Sequence, residues 1–217
     1  MRIRLKSEGI CGYCKGSFHG NTIARHLVRC HEMAKANNKC GNNKIYIIKA
    51  EAYPYWVYFE ANASDTLSDI DNFLRGLWLE CCGHLSAFTI DGIVYSSHPE
   101  KEFADKSMDI QIGKAIAPGL SFSHEYDFGS TTFLRLKCLS DRLGEILKKI
   151  KIIARNEMPD FKCVCGNKPE SLCLDCFQEK GYGAMLCKKC EKEHECDEEM
   201  FLPIVNSPRM GVCGYSG

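Results

Sequence analysis

From residue 45 onward the chain moves between two kinds of hydrophobic spacing. Residues 45–51 (Ile-Tyr-Ile-Ile-Lys-Ala-Glu) and 55–60 (Tyr-Trp-Val-Tyr-Phe-Glu) are short runs rich in β-branched and aromatic residues, broken at Pro54. They predict two strands joined by a turn. Next, Leu67, Ile70, Phe73, Leu74, Leu77 and Trp78 recur every three or four residues. On a helix that spacing gathers them on one face, with Ser64 or Asp65 placed to cap the first turn. Residues 88–90 and 93–95 flank Asp91-Gly92, a dipeptide that accepts positive φ and predicts a hairpin. A looser stretch, 98–119, leads to strands over 120–126 and 131–139 around the Asp127–Ser130 turn, and the apolar segment 146–154 reads as a final strand. The order ββα followed by further strands predicts an α+β domain over 42–155, with the helix packed on one face of a central mixed sheet.

The two flanks, residues 1–41 and 156–217, lack such patterning and hold much of the cysteine. There are 15 cysteines in 217 residues, an odd number that does not close a disulfide framework. Cys-x2-Cys pairs beside histidines point to zinc instead. In the N-terminal flank, Cys11-Gly-Tyr-Cys14 is a knuckle, followed by Phe18, Ile23, His26 and Cys30. His26 and Cys30, four apart, share a helix face and can close a tetrahedral site with the knuckle thiolates. His31 is the rival fourth ligand and Cys40 a more distant one. In the C-terminal flank, residues 163–196 carry Cys163, Cys165, Cys173, Cys176, Cys187, Cys190, His194 and Cys196. Eight soft ligands suit two ions, either in sequential fours or interleaved, so three zinc ions are expected in all. So short a segment depends on metal for its fold, with about 10 kcal/mol available per structural site. Cys213 is a candidate ninth thiolate.

Charge separates the ends. The formal net charge is zero overall, but residues 1–44 carry +7, residues 45–155 carry −3 and residues 156–217 carry −4. A basic flank with a finger-like motif points to DNA or RNA, and an acidic one to protein partners. Neither a secretory leader nor an apolar run long enough to span a bilayer is visible, and no motif for an organic cofactor is present. Metal-bound thiolates fit a reducing, cytoplasmic setting.

Three resemblances add to this. The N-terminal flank resembles single-finger members of the two-Cys, two-His finger family, with a loop one residue short and Cys in the last ligand position. That resemblance implies that His19, Thr22 and Arg25 face bases, with Arg29, Lys15, Arg2, Arg4 and Lys6 toward phosphates. Residues 53–60, the helix ending at Trp78, His84-Leu-x-x-Phe88 and especially His124-Glu-Tyr-Asp-Phe-Gly129 resemble the plasmid pRiA4b ORF-3-like family. The Asn206-Ser-Pro-Arg209-Met-Gly-Val-Cys213-Gly-Tyr215 segment also resembles a tail found on archaeal relatives of that family. The family implies a fold and a mobile-element context, without an established reaction. Ser86, Ser130 and Thr132 stand where common members carry other residues, which leaves any His/Asp site incomplete. The eight-ligand array is similar to cross-braced B-box and MYND-type modules, which mostly bind proteins.

Other chemistry is thinner. Cys81-Cys82-Gly83-His84, with Cys138, could hold a metal, but vicinal cysteines in extended chain diverge, and the simpler expectation is buried small side chains. Asp127 is expected to form a turn. The favoured reading is a non-enzymatic zinc protein that binds nucleic acid through its finger. A protein-interaction adaptor is the alternative, and an enzyme using the His124/Asp127 region is a third.

Overall fold

The structure, a computed structural model, describes residue 5 and residues 7–20, 22–37, 41–146 and 149–217, with the side chains of 31–37 excepted. Arg2, Arg4, Lys6, Cys40 and the His31 side chain lie outside the described set. The fold is mixed α+β and is built on one large sheet. Chain order is β1 (Glu8–Cys11), β2 (Ser17–His19), α1 (Ile23–Asn37), β3 (Asn43–Ala52), β4 (Tyr55–Asn62), α2 (Leu67–Leu74), β5 (Ser86–Ile90), β6 (Ile93–Ser96), β7 (Lys106–Ser107), α3 (Ile112–Ala115), β8 (Ser121–Tyr126), β9 (Thr132–Gly144) and β10 (Ile150–Asn156). These ten strands form one sheet in the order β2-β1-β10-β4-β3-β9-β8-β5-β6-β7. All neighbours are antiparallel except β6 and β7.

The expected strands and the helix are present. β3 and β4 pair along their length across the Tyr53-Pro54 turn. Asp91 (φ 48°) and Gly92 (φ 78°) make the positive-φ turn between β5 and β6. The cap of α2 differs from expectation: Thr66 takes it, its hydroxyl accepting from the Asp69 N–H while the Asp69 carboxylate accepts from the Thr66 N–H. Asp65 instead accepts from the Asn62 N–H at 2.7 Å. Beyond α2 the chain widens into a π-helical turn, Arg75–Leu79, which swings Trp78 fully into the core.

Both faces of the sheet are covered. Tyr46, Ile48, Ala50, Val57 and Phe59 pack on one face with Leu67, Ile70, Leu74 and Trp78 of the helical segment. Ile47, Trp56, Tyr58, Ile153 and Ala154 pack on the other with Ile23, Leu27 and Cys30 of α1. The N-terminal segment is therefore part of the same body: β1 pairs with β10 and extends the sheet, and α1 covers its second face. Gly9 is needed at that junction, because a Cβ there would lie 2.2 Å from the Arg155 carbonyl oxygen and 2.5 Å from the Trp56 ring.

The C-terminal segment comprises β11 (Ser171–Cys173), α4 (Leu174–Lys180), β12 (Met185–Leu186), α5 (Lys188–Lys192) and β13 (Phe201–Pro203), with a small sheet in the order β12-β11-β13. Its Phe161, Leu172, Met185 and Met210 join the α2-side core. Two buried acids, Glu60 and Asp71, are paired with basic groups. Glu60 accepts two hydrogen bonds from Arg142, at 2.9 and 3.0 Å, and one from the Tyr13 hydroxyl at 2.7 Å. Asp71 lies 2.7 Å from His124 Nε2 and accepts from Arg75 Nε at 2.8 Å. Burial pushes the Asp71 carboxyl up, but His124, Ser86 and Arg75 outweigh it and hold the group below the ordinary range. No helix among the described residues is long and apolar enough to cross a membrane.

Candidate metal centres

Cysteine and histidine converge at four places. In each, four ligand atoms lie within 4.8 Å of one another: Cys11, Cys14, His26 and Cys30; Cys163, Cys165, Cys187 and Cys190; Cys173, Cys176, His194 and Cys196; and Cys81, Cys82, His84 and Cys213. A tetrahedral ion with metal–sulfur bonds of about 2.3 Å spaces its sulfurs about 3.8 Å apart. The observed separations match: 3.6 Å for Cys165–Cys187, 3.9 Å for Cys176–Cys196 and 3.7 Å for Cys82–Cys213. Donor type and spacing thus fit a soft transition-metal ion at all four places.

The first centre sits where the β1–β2 hairpin meets α1. Lys15 (φ 61°) turns the knuckle, Cys11 accepts at its carbonyl from the Lys15 N–H, and the Cys11 N–H donates to the Gly16 carbonyl. The Phe18 ring stacks on His26 at 3.8 Å and fixes the imidazole so that Nε2 lies 3.2 Å from Cys14 Sγ and 2.9 Å from Cys30 Sγ. Burial lowers the His26 pKa, which favours the neutral ring that a metal requires. Burial and then the Cys14 thiol push Cys30 up to about 12.

The next two centres are interleaved. Cys163 and Cys165 meet Cys187 and Cys190, whereas Cys173 and Cys176 meet His194 and Cys196. Of the two pairings compatible with the sequence, the chain folds into the cross-braced one. The short Cys163-x-Cys165 pair is accommodated by a tight turn in which the Gly166 N–H donates to the Cys163 carbonyl. The helix starts do the rest: Cys173 precedes α4 and Cys187 precedes α5. The backbone N–H of Cys190, aimed at Cys187, draws that thiol down to about 6, while neighbouring Cys163 and Cys165 drive Cys190 up to about 12.

The fourth group corrects an expectation. Cys138 takes no part; it is fully buried on β9, its Sγ 4.0 Å from the Ser140 carbonyl. Cys81 and Cys82 lie in a bend, so the divergence expected of extended chain does not apply, and Cys82 is exposed. Their partner Cys213 is 131 residues from Cys82 along the chain, a separation that no local spacing rule detects. The visible signal was one unassigned thiol at Cys213 beside one unassigned Cys-Cys-x-His.

The positions read as nucleic-acid contacts are spread over the finger. Arg25 and Arg29 are exposed on the outer side of α1. Thr22 precedes the helix, its hydroxyl donating to the His19 carbonyl at 3.1 Å. His19 is on β2 with Nε2 3.4 Å from a Glu8 carboxylate oxygen, and Lys15 donates from Nζ to the Gly12 carbonyl. His124 is fully buried against Phe88, and Asp127 is bonded to Arg209, Gly129 and Ser130. The two therefore have separate partners.

Fold and clusters together define a mixed α+β protein with sites suited to metal ions. No protein-family model matches the chain, and no curated protein matches it. Among solved structures, a protein of unknown function from Methanosarcina mazei Go1 is similar at 15% identity and a TM-score of 0.38, over 52% of this chain and 67% of that one.

Proposed function

We propose that the protein is a cytoplasmic, non-enzymatic zinc protein that contacts nucleic acid through the outer face of α1. One observation carries the reading. Ile23, Leu27 and Cys30 fix the inner side of α1 to the sheet, and Arg25 and Arg29, one helical turn apart, are left together and exposed on the outer side. Two guanidiniums on a rigid helix suit phosphate contacts. Zinc is the proposed ion. Each set, whether four cysteines or three with a histidine, supplies four protein ligands and leaves no position open, the mark of structural rather than catalytic sites. His124, the best candidate base, is sealed in the core. Placement in the pRiA4b ORF-3-like family, and with it a link to mobile elements, rests on the motif residues named above.

Gel-shift titration with duplex DNA and with RNA tests this proposal. Binding is expected to weaken as salt rises, and Arg25→Ala with Arg29→Ala to abolish it at moderate salt while lowering the salt slope by about 2. No binding to either nucleic acid at low salt overturns the reading. A second reading, docking of a protein on the cross-braced segment, is favoured by a groove lined by Met158, Pro159, Phe161, Pro169 and Ile204, with Met158 exposed at its rim. It predicts that Met158→Asp blocks partner capture and leaves nucleic-acid binding intact.

A further inference from the structure

We propose that Cys81, Cys82, His84 and Cys213 form a fourth zinc-type site, in which Asp127 is the positioning residue for His84 and the bound ion clasps residues 206–213 to the central sheet. The two imidazole nitrogens face different partners. Nε2 faces Cys213 Sγ at 3.5 Å, and Nδ1 faces the Asp127 carboxylate at 3.7 Å. A carboxylate behind a ligating histidine selects the tautomer and strengthens the nitrogen as a donor. Asp127 is itself held by the Gly129 and Ser130 N–H groups and by Arg209.

Arg209 connects the parts. It is fully buried, donates to the Asp127 carboxylate, to the Ser130 carbonyl at 2.6 Å and to the Thr132 hydroxyl at 3.1 Å, and lies 3.5 Å from Cys81 Sγ. Three thiolates on a dication leave one net negative charge, and this guanidinium is beside it. The Tyr126 hydroxyl accepts from the backbone N–H groups of Cys81 and His84, each at 3.3 Å, and so shapes the ligand loop. Asp127 (φ 65°) and Cys213 (φ 52°) both sit in the left-handed region, which non-glycine residues seldom adopt without cause. The approach to Cys213 is also fixed, since Ser207 donates to the Trp78 carbonyl and Asn206 to that of Asn156. The most specific motif of the central domain, Tyr126-Asp127, thereby gains a role as support for a metal ligand.

This centre differs from the other three in lacking a fully buried ligand: Cys82 and Cys213 are exposed, and Cys81 and His84 are half-buried. Its ion should therefore exchange fastest. The test uses the full-length reduced protein. Native mass spectrometry is expected to find four zinc ions, one of them removed first by a chelator, and three ions in Cys82→Ser with Cys213→Ser. In the wild type, iodoacetamide should modify Cys82 and Cys213 after brief chelation and spare them once zinc is restored, a readout that needs no variant to fold. Asp127→Asn should bind the fast-exchanging ion about 10–100-fold more weakly, with the other three unchanged. Three ions in the wild type, alkylation indifferent to zinc, or a Cys82–Cys213 disulfide as the stable form would each overturn the site. Weakening of all four ions by Asp127→Asn would overturn the positioning role.

Discussion

Two helices lie on opposite faces of one sheet and are held there by different means. α2 and its π-helical extension bury Leu67, Ile70, Leu74, Trp78 and Leu79 and begin with a full capping box. Over its described side chains, residues 23–30, α1 places Ile23, Leu27 and Cys30 in a smaller core. A fully buried aliphatic or aromatic side chain stabilises by about 1.5–3 kcal/mol, whereas ordering one backbone residue costs about 1–2 kcal/mol. Five such side chains offset much of the cost of α2. Over residues 23–30 of α1, two such side chains with a cysteine offset a smaller share. An ion held by the Cys11–Cys14–His26–Cys30 cluster would add to the attachment of α1, a contribution that α2 does not have.

Metal removal breaks that comparison most severely. Each structural site supplies on the order of 10 kcal/mol, so chelation should strip hydrogen-exchange protection from α1, α4 and α5 while β3, β4 and β9 keep theirs. Acidification should act alike, because protonated thiols do not ligate. Persistent protection of α1 in the metal-free protein would show that burial suffices on both faces.

The next largest effect concerns the buried ion pair on the α1 face. Glu60 is fully buried on β4 and joins Arg142 of β9 to Tyr13 of the knuckle. Glu60→Gln leaves the Arg142 charge uncompensated and should cost about 3–5 kcal/mol in urea denaturation of the zinc-loaded protein. Replacing both partners, Glu60→Met with Arg142→Leu, should recover most of it. Failure of the double variant to recover would mean that Tyr13 depends on the carboxylate more than the ion pair does.

Leu74→Ala and Leu27→Ala sharpen the contrast further. Each deletes a fully buried side chain and should cost about 2–5 kcal/mol. Only Leu27→Ala should also speed zinc loss to a chelator, since Leu27 sits one residue from His26 on the helix that presents the ligand. Equal rates would uncouple the metal centre from the packing beneath it.

How far these features could be read from sequence follows the same division. Strand runs, the α2 stripe, the Asp91-Gly92 turn and the twelve ligands of three centres all carry local signals, and the chain folds accordingly. The covering of the second face was less plain, though its trace was present. Ile47-Ile48 and residues 56–59 are continuous apolar runs rather than alternating ones, and a strand that is apolar on both sides is covered on both. The addition of β1 to the β10 edge uses backbone hydrogen bonds, which leave no side-chain signature. Cys213 escaped because its partners are distant in the chain, and the cap of α2 because Thr66 competes with two nearby residues of similar chemistry, Ser64 and Asp65.

The smallest expected difference separates the helices at their first residues. Both begin after a threonine. The Thr66 hydroxyl accepts from the Asp69 N–H, a first-turn donor that it shares with the Thr66 carbonyl. The Thr22 hydroxyl donates backward to the His19 carbonyl, a contact that holds the end of β2 near the helix. Thr66→Ala should therefore cost about 1 kcal/mol, whereas Thr22→Ala should stay within about 0.5 kcal/mol in the zinc-loaded protein. Thermal melts of the two variants beside wild type would measure this. A loss at Thr22 as large as at Thr66 would mean that the start of α1 depends on local capping, and that an ion at His26 and Cys30 does not by itself hold the start of the helix.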